Sequence, residues 1–304
     1  MKPNTFIIGA PKCGTTALAQ YLADHPDVFV CYPKEPSYWS SDLQRYDSAV
    51  ALPSLNAYLK LFEGARRSDA KVVIDASTRY IFSEVAVRRI LEFDPLAKFI
   101  VMLRNPIEIA HAYHMEKLFN STEDIEDFSA AWLAQVDRER GERLPPACVE
   151  PKELQYGRIA SIGSQLEALL AIVKPEMVYI GFQEDLRRNP LECYRGVLQF
   201  LGLEFDGRTH FPEVGASRRH RLAKLGQYYQ QPPGWLKPFV RLAKRFVQRD
   251  LPPSFKEVIK SSLVKRQPRD PIEDGLRASL AAYFAEEVGI IERITGRDLL
   301  HWKA

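Results

Sequence analysis

Five short apolar runs set the terms for this chain. They lie at residues 5–10 (TFIIGA), 28–30 (VFV), 71–76 (KVVIDA), 98–103 (KFIVML) and 177–182 (MVYIGF). Uninterrupted apolar runs of this length are the pattern of strands buried on both faces of a parallel sheet. Helical patterns stand between them. Residues 17–24 place Ala17, Leu18, Tyr21 and Leu22 on one face and stop at Pro26. Pro106 suits the first turn of a helix carrying Ala110, Tyr113 and Leu118, and Pro190 opens another over 191–201. Strands alternating with helices predict an α/β fold, a P-loop-like three-layer domain whose central parallel sheet is flanked by helices. Ligands of such sheets collect at the carboxyl ends of the strands.

The last third reads differently. Pro-rich punctuation at 230–233 and 251–253 brackets a basic, helical-looking stretch, and an amphipathic helical segment over 275–296 follows it. At 304 residues the chain suits one domain over 1–304 with a basic helical excursion at about 225–272. No apolar run approaches the ~20 residues of a membrane helix, and the N-terminus shows no secretory core. Cys13, Cys31, Cys148 and Cys193 have no paired spacing and histidine is sparse, so no metal site is expected. Unpaired thiols fit a reducing, cytoplasmic setting. A net charge of +3 gives no case for nucleic acid.

Gly9-Ala10-Pro11-Lys12-Cys13-Gly14-Thr15-Thr16 sits between the first strand and the first helix. Such a loop offers backbone N–H groups and a positive helix end to an anion. A Walker A loop has Lys directly after its second Gly; here Thr15 holds that place, and the lysine sits earlier, at Lys12. A single phosphate or phosphosulfate can still be gripped. At the end of the 98–103 run, Arg104 is the residue type best suited to a bidentate phosphate contact.

FIIGAPKCGTTAL resembles the 5′-phosphosulfate loop of sulfotransferases that use 3′-phosphoadenosine 5′-phosphosulfate (PAPS), in particular the Golgi carbohydrate and bacterial branches. The resemblance implies that Lys12 contacts the 5′-phosphate and the bridging oxygen. It also implies backbone and hydroxyl contacts from Cys13, Gly14, Thr15, Thr16 and Ala17. LRNPIEIAHAY resembles the family's 3′-phosphate motif, with Arg104 as its anchor. Where the family has a serine eight residues on, this chain has Ala112, with His111 and His114 beside it.

Lys34-Glu35-Pro36 resembles the segment of heparan-type sulfotransferases in which the glutamate is the general base. An acceptor hydroxyl must lose its proton as it attacks sulfur, and a nearby carboxylate can take it. His111 and His114 are the alternative bases. Asp75-Ala76-Ser77-Thr78-Arg79-Tyr80 resembles a segment lining the donor and acceptor sites, which assigns Ser77 and Tyr80 to the acceptor; Asp75 also admits a Walker B reading. Tyr156, in YGR before a helix, and Arg218, Arg219 and His220, in a basic run, match positions near the nucleotide.

The implied activity is transfer of a sulfuryl group from PAPS to a hydroxyl or amine of a carbohydrate, small-molecule or lipid acceptor, with 3′-phosphoadenosine 5′-phosphate (PAP) as product and no metal. Two alternatives stand beside it: a kinase-like nucleotide enzyme with an altered P-loop, and a non-catalytic nucleotide binder. Residues 235–249 put Leu236, Phe239, Val240 and Phe246 on one helical face and Lys237, Arg241, Lys244 and Arg245 on the other. That face admits docking on the core, contact with an acidic acceptor, or peripheral contact with a membrane.

Overall fold

A computed structural model describes residues 1–43, 52–66, 69–213, 218–220, 264–266 and 271–303. The basic segment at 235–249 lies outside them. Chain contacts divide into two compact units. The first comprises Met1–Ala110, Gly157–Gly215 and Asp274–Ala304, and the second His111–Tyr156 with Ala216–Glu273.

The first unit is built on a five-stranded parallel sheet, β1 (Thr5–Gly9), β2 (Val28–Val30), β3 (Val72–Ala76), β4 (Lys98–Leu103) and β5 (Val178–Phe182). Spatial order is β2-β3-β1-β4-β5. β1 and β3 are buried at every position, as their uninterrupted apolar sequences require. Both edges of β1 are paired, Thr5 with Ile74 of β3 on one side and with Lys98 of β4 on the other. With helices on the sheet's faces, this is the expected three-layer α/β fold.

The strand order reverses beside β1. From β1 the chain runs outward to β2 and back to β3, then crosses to β4 on the other side. The carboxyl ends of β1 and β4 therefore flank a topological switch point, where open parallel sheets leave a crevice. Gly9 closes β1 where space is tightest, since a Cβ there would stand 2.5 Å from Cγ2 of Ile81.

The C-terminal segment is tied to the same edge of the sheet. Arg297 pairs with Glu184 and Asp185 just after β5, and its guanidinium lies 4.1 Å from the centroid of the Phe182 ring. Asn105, next to Arg104, donates from Nδ2 to the Trp302 carbonyl at 3.3 Å. The segment expected as one helix over 275–296 is two, Asp274–Tyr283 and Ala285–Thr295. Phe284, buried between them, takes φ −94° and ψ 6°, which bends the backbone out of helical register.

In the second unit, helices Phe128–Leu133 and Gln135–Glu139 accompany the second half of the helix Pro106–Phe119. Arg218–His220 and Val264–Arg266 form a short antiparallel pair in the same unit.

Candidate active site

The loop after β1 turns on two left-handed residues. Lys12 has φ 64° and Gly14 φ 84°. Gly14 is the N-cap of helix α1 (Thr15–Ala23), so no side chain caps it, and no acid stands in the first turn. The helix thus begins with backbone donors and an unneutralised positive end, which suits an anion. A Cβ at position 14 would be strained by the positive φ and would touch Leu186 at 3.0 Å. Thr15 is buried and Thr16 exposed. Cys13 is buried; burial pushes its thiol up to about 12, so it enters the loop as a neutral packing group.

Arg104 arrives at the same place from the end of β4. Its Nη1 donates to the Lys12 carbonyl at 3.1 Å, and its Nη2 donates to Oε2 of Glu108 at 3.0 Å. Only 13% of the side chain is exposed. The two strands share the backbone here as well, since Ala10 N–H donates to the Met102 carbonyl at 2.9 Å. Lys12, the α1 amides and Arg104 are therefore one constellation at the switch point.

Glu35 comes from the other side of β1. Beyond β2 the chain lies along β3, with Glu35 N–H donating to the Ala76 carbonyl at 3.1 Å. Glu35 has φ 63°. Its carboxylate accepts from Lys34 Nζ at 2.7 Å and from Thr78 Oγ1 at 3.1 and 3.2 Å, and 37% of its side chain stays exposed. The carboxylate is thus oriented from two sides and partly exposed.

Behind it sits a fully buried carboxylate, Asp75. Its oxygens accept from Ser77 Oγ at 2.6 Å, Tyr58 hydroxyl at 2.7 Å and Tyr80 hydroxyl at 2.8 Å. Burial raises Asp75 to about 6, although the three hydroxyls pull the other way. Ser77 Oγ also accepts from Ser37 N–H at 3.0 Å, which fixes the backbone two residues past Glu35. Ser77 and Tyr80, assigned from sequence to the acceptor, have no exposed surface and give their hydroxyls to Asp75. Both oxygens of Asp75 are engaged by hydroxyl donors, which is not the arrangement of a magnesium-holding Walker B aspartate. Among the described residues no cluster of three or more His, Cys, Asp or Glu has metal-ligand geometry.

Comparison with known proteins gives the family of the chain. A family model described as "Sulfotransferase family" matches residues 3–207. The chain belongs to the sulfotransferase family. The bifunctional heparan sulfate N-deacetylase/N-sulfotransferase 1 of Homo sapiens is 30% identical over 115 residues, which are 38% of this chain and 13% of that protein. The Homo sapiens N-deacetylase/N-sulfotransferase 2 is 23% identical over 201 residues, 66% of this chain and 22% of that protein. The chain thus spans only a small part of these curated relatives. A sulfotransferase from Alicyclobacillus acidocaldarius shares the fold, with a TM-score of 0.72 and 24% identity over 100% of both chains.

The remaining sequence-assigned residues of this sulfotransferase lie in the second unit. His111 is buried with its ring 4.9 Å from Phe128, and Ala112 is buried beside it. His114 pairs through Nε2 with the Ile125 carbonyl at 2.8 Å, and burial lowers its pKa, so the ring is neutral with Nε2 as donor. The Tyr156 hydroxyl donates to Glu123, so that assigned nucleotide contact has its hydroxyl committed inside the unit. Arg218, Arg219 and His220 are described in backbone only.

Sequence reasoning missed the polar core of that unit. Arg138 grips Glu123 bidentately at 2.6 and 2.7 Å, with neither side chain exposed. Glu123 also accepts from the N–H groups of Asp124 and Ile125 at 2.8 and 2.9 Å. Lys117 pairs with Glu153, 36 residues further along the chain, both buried. Charged residues spaced 15 apart give no sequence signal of pairing. Nor did Glu108 or Tyr58 announce itself, because an exposed-looking acid and a lone aromatic are common everywhere.

Proposed function

We propose that this sulfotransferase takes its sulfuryl group from PAPS and places it on a hydroxyl or amine of a carbohydrate, small-molecule or lipid acceptor. One observation carries the reading: the capless, left-handed loop of Lys12 to Thr16 and the half-buried Arg104 meet at the switch point through a 3.1 Å hydrogen bond. That arrangement offers two anion sites side by side, as a nucleotide with phosphate at both 3′ and 5′ requires. Arg104 takes the 3′-phosphate as a planar fork. Lys12 and the α1 amides take the 5′-phosphosulfate.

Glu35 removes the acceptor proton as the acceptor oxygen or nitrogen bonds to sulfur and the sulfur–oxygen bond to the 5′-phosphate breaks. Lys12 and the loop amides stabilise the charge that returns to the departing phosphate oxygen. Thr78 and Lys34 hold Glu35 in place, and Ser77 and Tyr80 act through Asp75 as positioning residues. Engagement of both Asp75 oxygens by hydroxyls favours this over a magnesium-dependent kinase. The thiols of the described cysteines fit a cytoplasmic setting.

Calorimetric titration with PAP, with and without magnesium and with ATP as control, tests the donor. The expected result is metal-independent binding of PAP, tighter than ATP and lost in Arg104→Ala. Magnesium-dependent ATP binding without PAP binding would overturn the proposal.

A further inference from the structure

Arg104 does more than end a strand with a positive charge. Of the donors on its fork, Nη1 is given to the carbonyl of Lys12 and Nη2 to Glu108, four residues on along the helix Pro106–Phe119. Glu108 is itself shared, with its Oε1 3.7 Å from the guanidinium of Arg277 on the C-terminal helix Asp274–Tyr283. The carbonyl that Arg104 holds belongs to the one non-glycine residue of the β1 loop with a left-handed backbone. That conformation costs an L-residue about 1 kcal/mol and persists only where neighbours over-determine it.

We infer that Arg104 is a strut between the two anion sites: braced by Glu108, it holds the backbone of Lys12 in the conformation that opens the α1 amides to a 5′-phosphate. The inference rests on the donor reading above and deepens it. A residue that only reads the 3′-phosphate leaves binding of a nucleotide lacking that phosphate untouched. A strut does not. Loss of the fork releases the Lys12 carbonyl, lets the loop leave its left-handed turn, and weakens the 5′ site itself. Lysine cannot replace it, because one ammonium on a flexible stem cannot hold the carbonyl, Glu108 and a phosphate in one plane.

The probes are adenosine 5′-phosphosulfate, which has no 3′-phosphate, and PAP, each titrated into wild type, Arg104→Lys and Arg104→Ala. Thermal melts confirm that the variants are folded. A lost hydrogen bond from a charged donor predicts about tenfold weaker binding of adenosine 5′-phosphosulfate in both variants. In Arg104→Lys, which keeps the charge, turnover also falls, because Lys12 no longer meets the leaving oxygen. Unchanged adenosine 5′-phosphosulfate affinity in both variants, with only PAP weakened, would refute the strut and leave the donor reading intact. If wild type binds neither nucleotide, it is the donor reading that fails. Should Arg104→Ala not fold, Arg104→Lys decides, and Glu108→Ala gives a second test. That change removes the brace without touching the loop, and it must weaken adenosine 5′-phosphosulfate binding in the same direction.

Discussion

Replacing Arg138 by methionine removes the cation from a pair that no water reaches. Glu123 then keeps the Tyr156 hydroxyl and the amides of Asp124 and Ile125, but loses two guanidinium hydrogen bonds of 2.6 and 2.7 Å. Removing one partner of a buried pair costs about 3–5 kcal/mol, since the other charge is left without compensation. A second route gives a similar figure. Burial alone would raise Glu123, but hydrogen bonds from Arg138 and Tyr156 outweigh it and bring the carboxyl from 4.5 to about 2. At 1.36 kcal/mol per pH unit that is about 3 kcal/mol. The sign follows from the depressed value: the contribution is full above pH 4.5 and is lost as pH falls toward 2. Hydrogen exchange over residues 111–156 is the suitable assay, because it reads local opening even where the chain does not unfold in one step. Protection in Arg138→Met should fall by about 3–5 kcal/mol at pH 7, and the gap from wild type should narrow on acidification. Replacing Glu123 by glutamine as well should recover much of the loss. A cost under about 1 kcal/mol at pH 7 would refute the argument that this pair organises the unit.

Glu35→Gln keeps the shape that Thr78 and Lys34 hold but cannot accept a proton. Transfer of labelled sulfate to a panel of glycans and phenols should drop about 10²–10⁴-fold with PAP affinity unchanged, and retained turnover would move the base elsewhere. Asp75 behaves oppositely to Glu123. A carboxyl raised from 3.8 to about 6 gives most stability below pH 3.8, and about 3 kcal/mol of it is lost as pH rises through 6. The stability of wild type relative to Asp75→Asn should therefore fall between pH 4 and pH 7, and parallel melting profiles would show that the carboxyl does not titrate in that window.

Much of the sheet was legible because burial on both faces leaves a plain signature. The 28–30 and 98–103 runs are β2 and β4 at those limits, and the other three end within one residue of their strands. Lys12, Glu35 and Arg104 stood out because each follows a strand, where the fold gathers ligand-binding groups. What stayed hidden is pairing at a distance. Asp75 was visible as an acid after a strand, but the hydroxyl of Tyr58 that meets it comes from the helix Leu55–Lys60, whose apolar spacing marks a helix without saying which strand end it packs against. The break at Phe284 was equally illegible. Its apolar spacing fits a continuous helix, and only packing decides that the ring goes inward there.

The tie between Asn105 and Trp302 has a practical side. A peptide appended for purification after residue 304 would begin three residues from a carbonyl that steadies the neighbour of Arg104. Protein carrying such an appendage at that end can report weak nucleotide affinity for reasons of handling alone. Material tagged at Met1, before the amino end of β1 and so away from the carboxyl ends of the strands, is the sounder preparation for every measurement above.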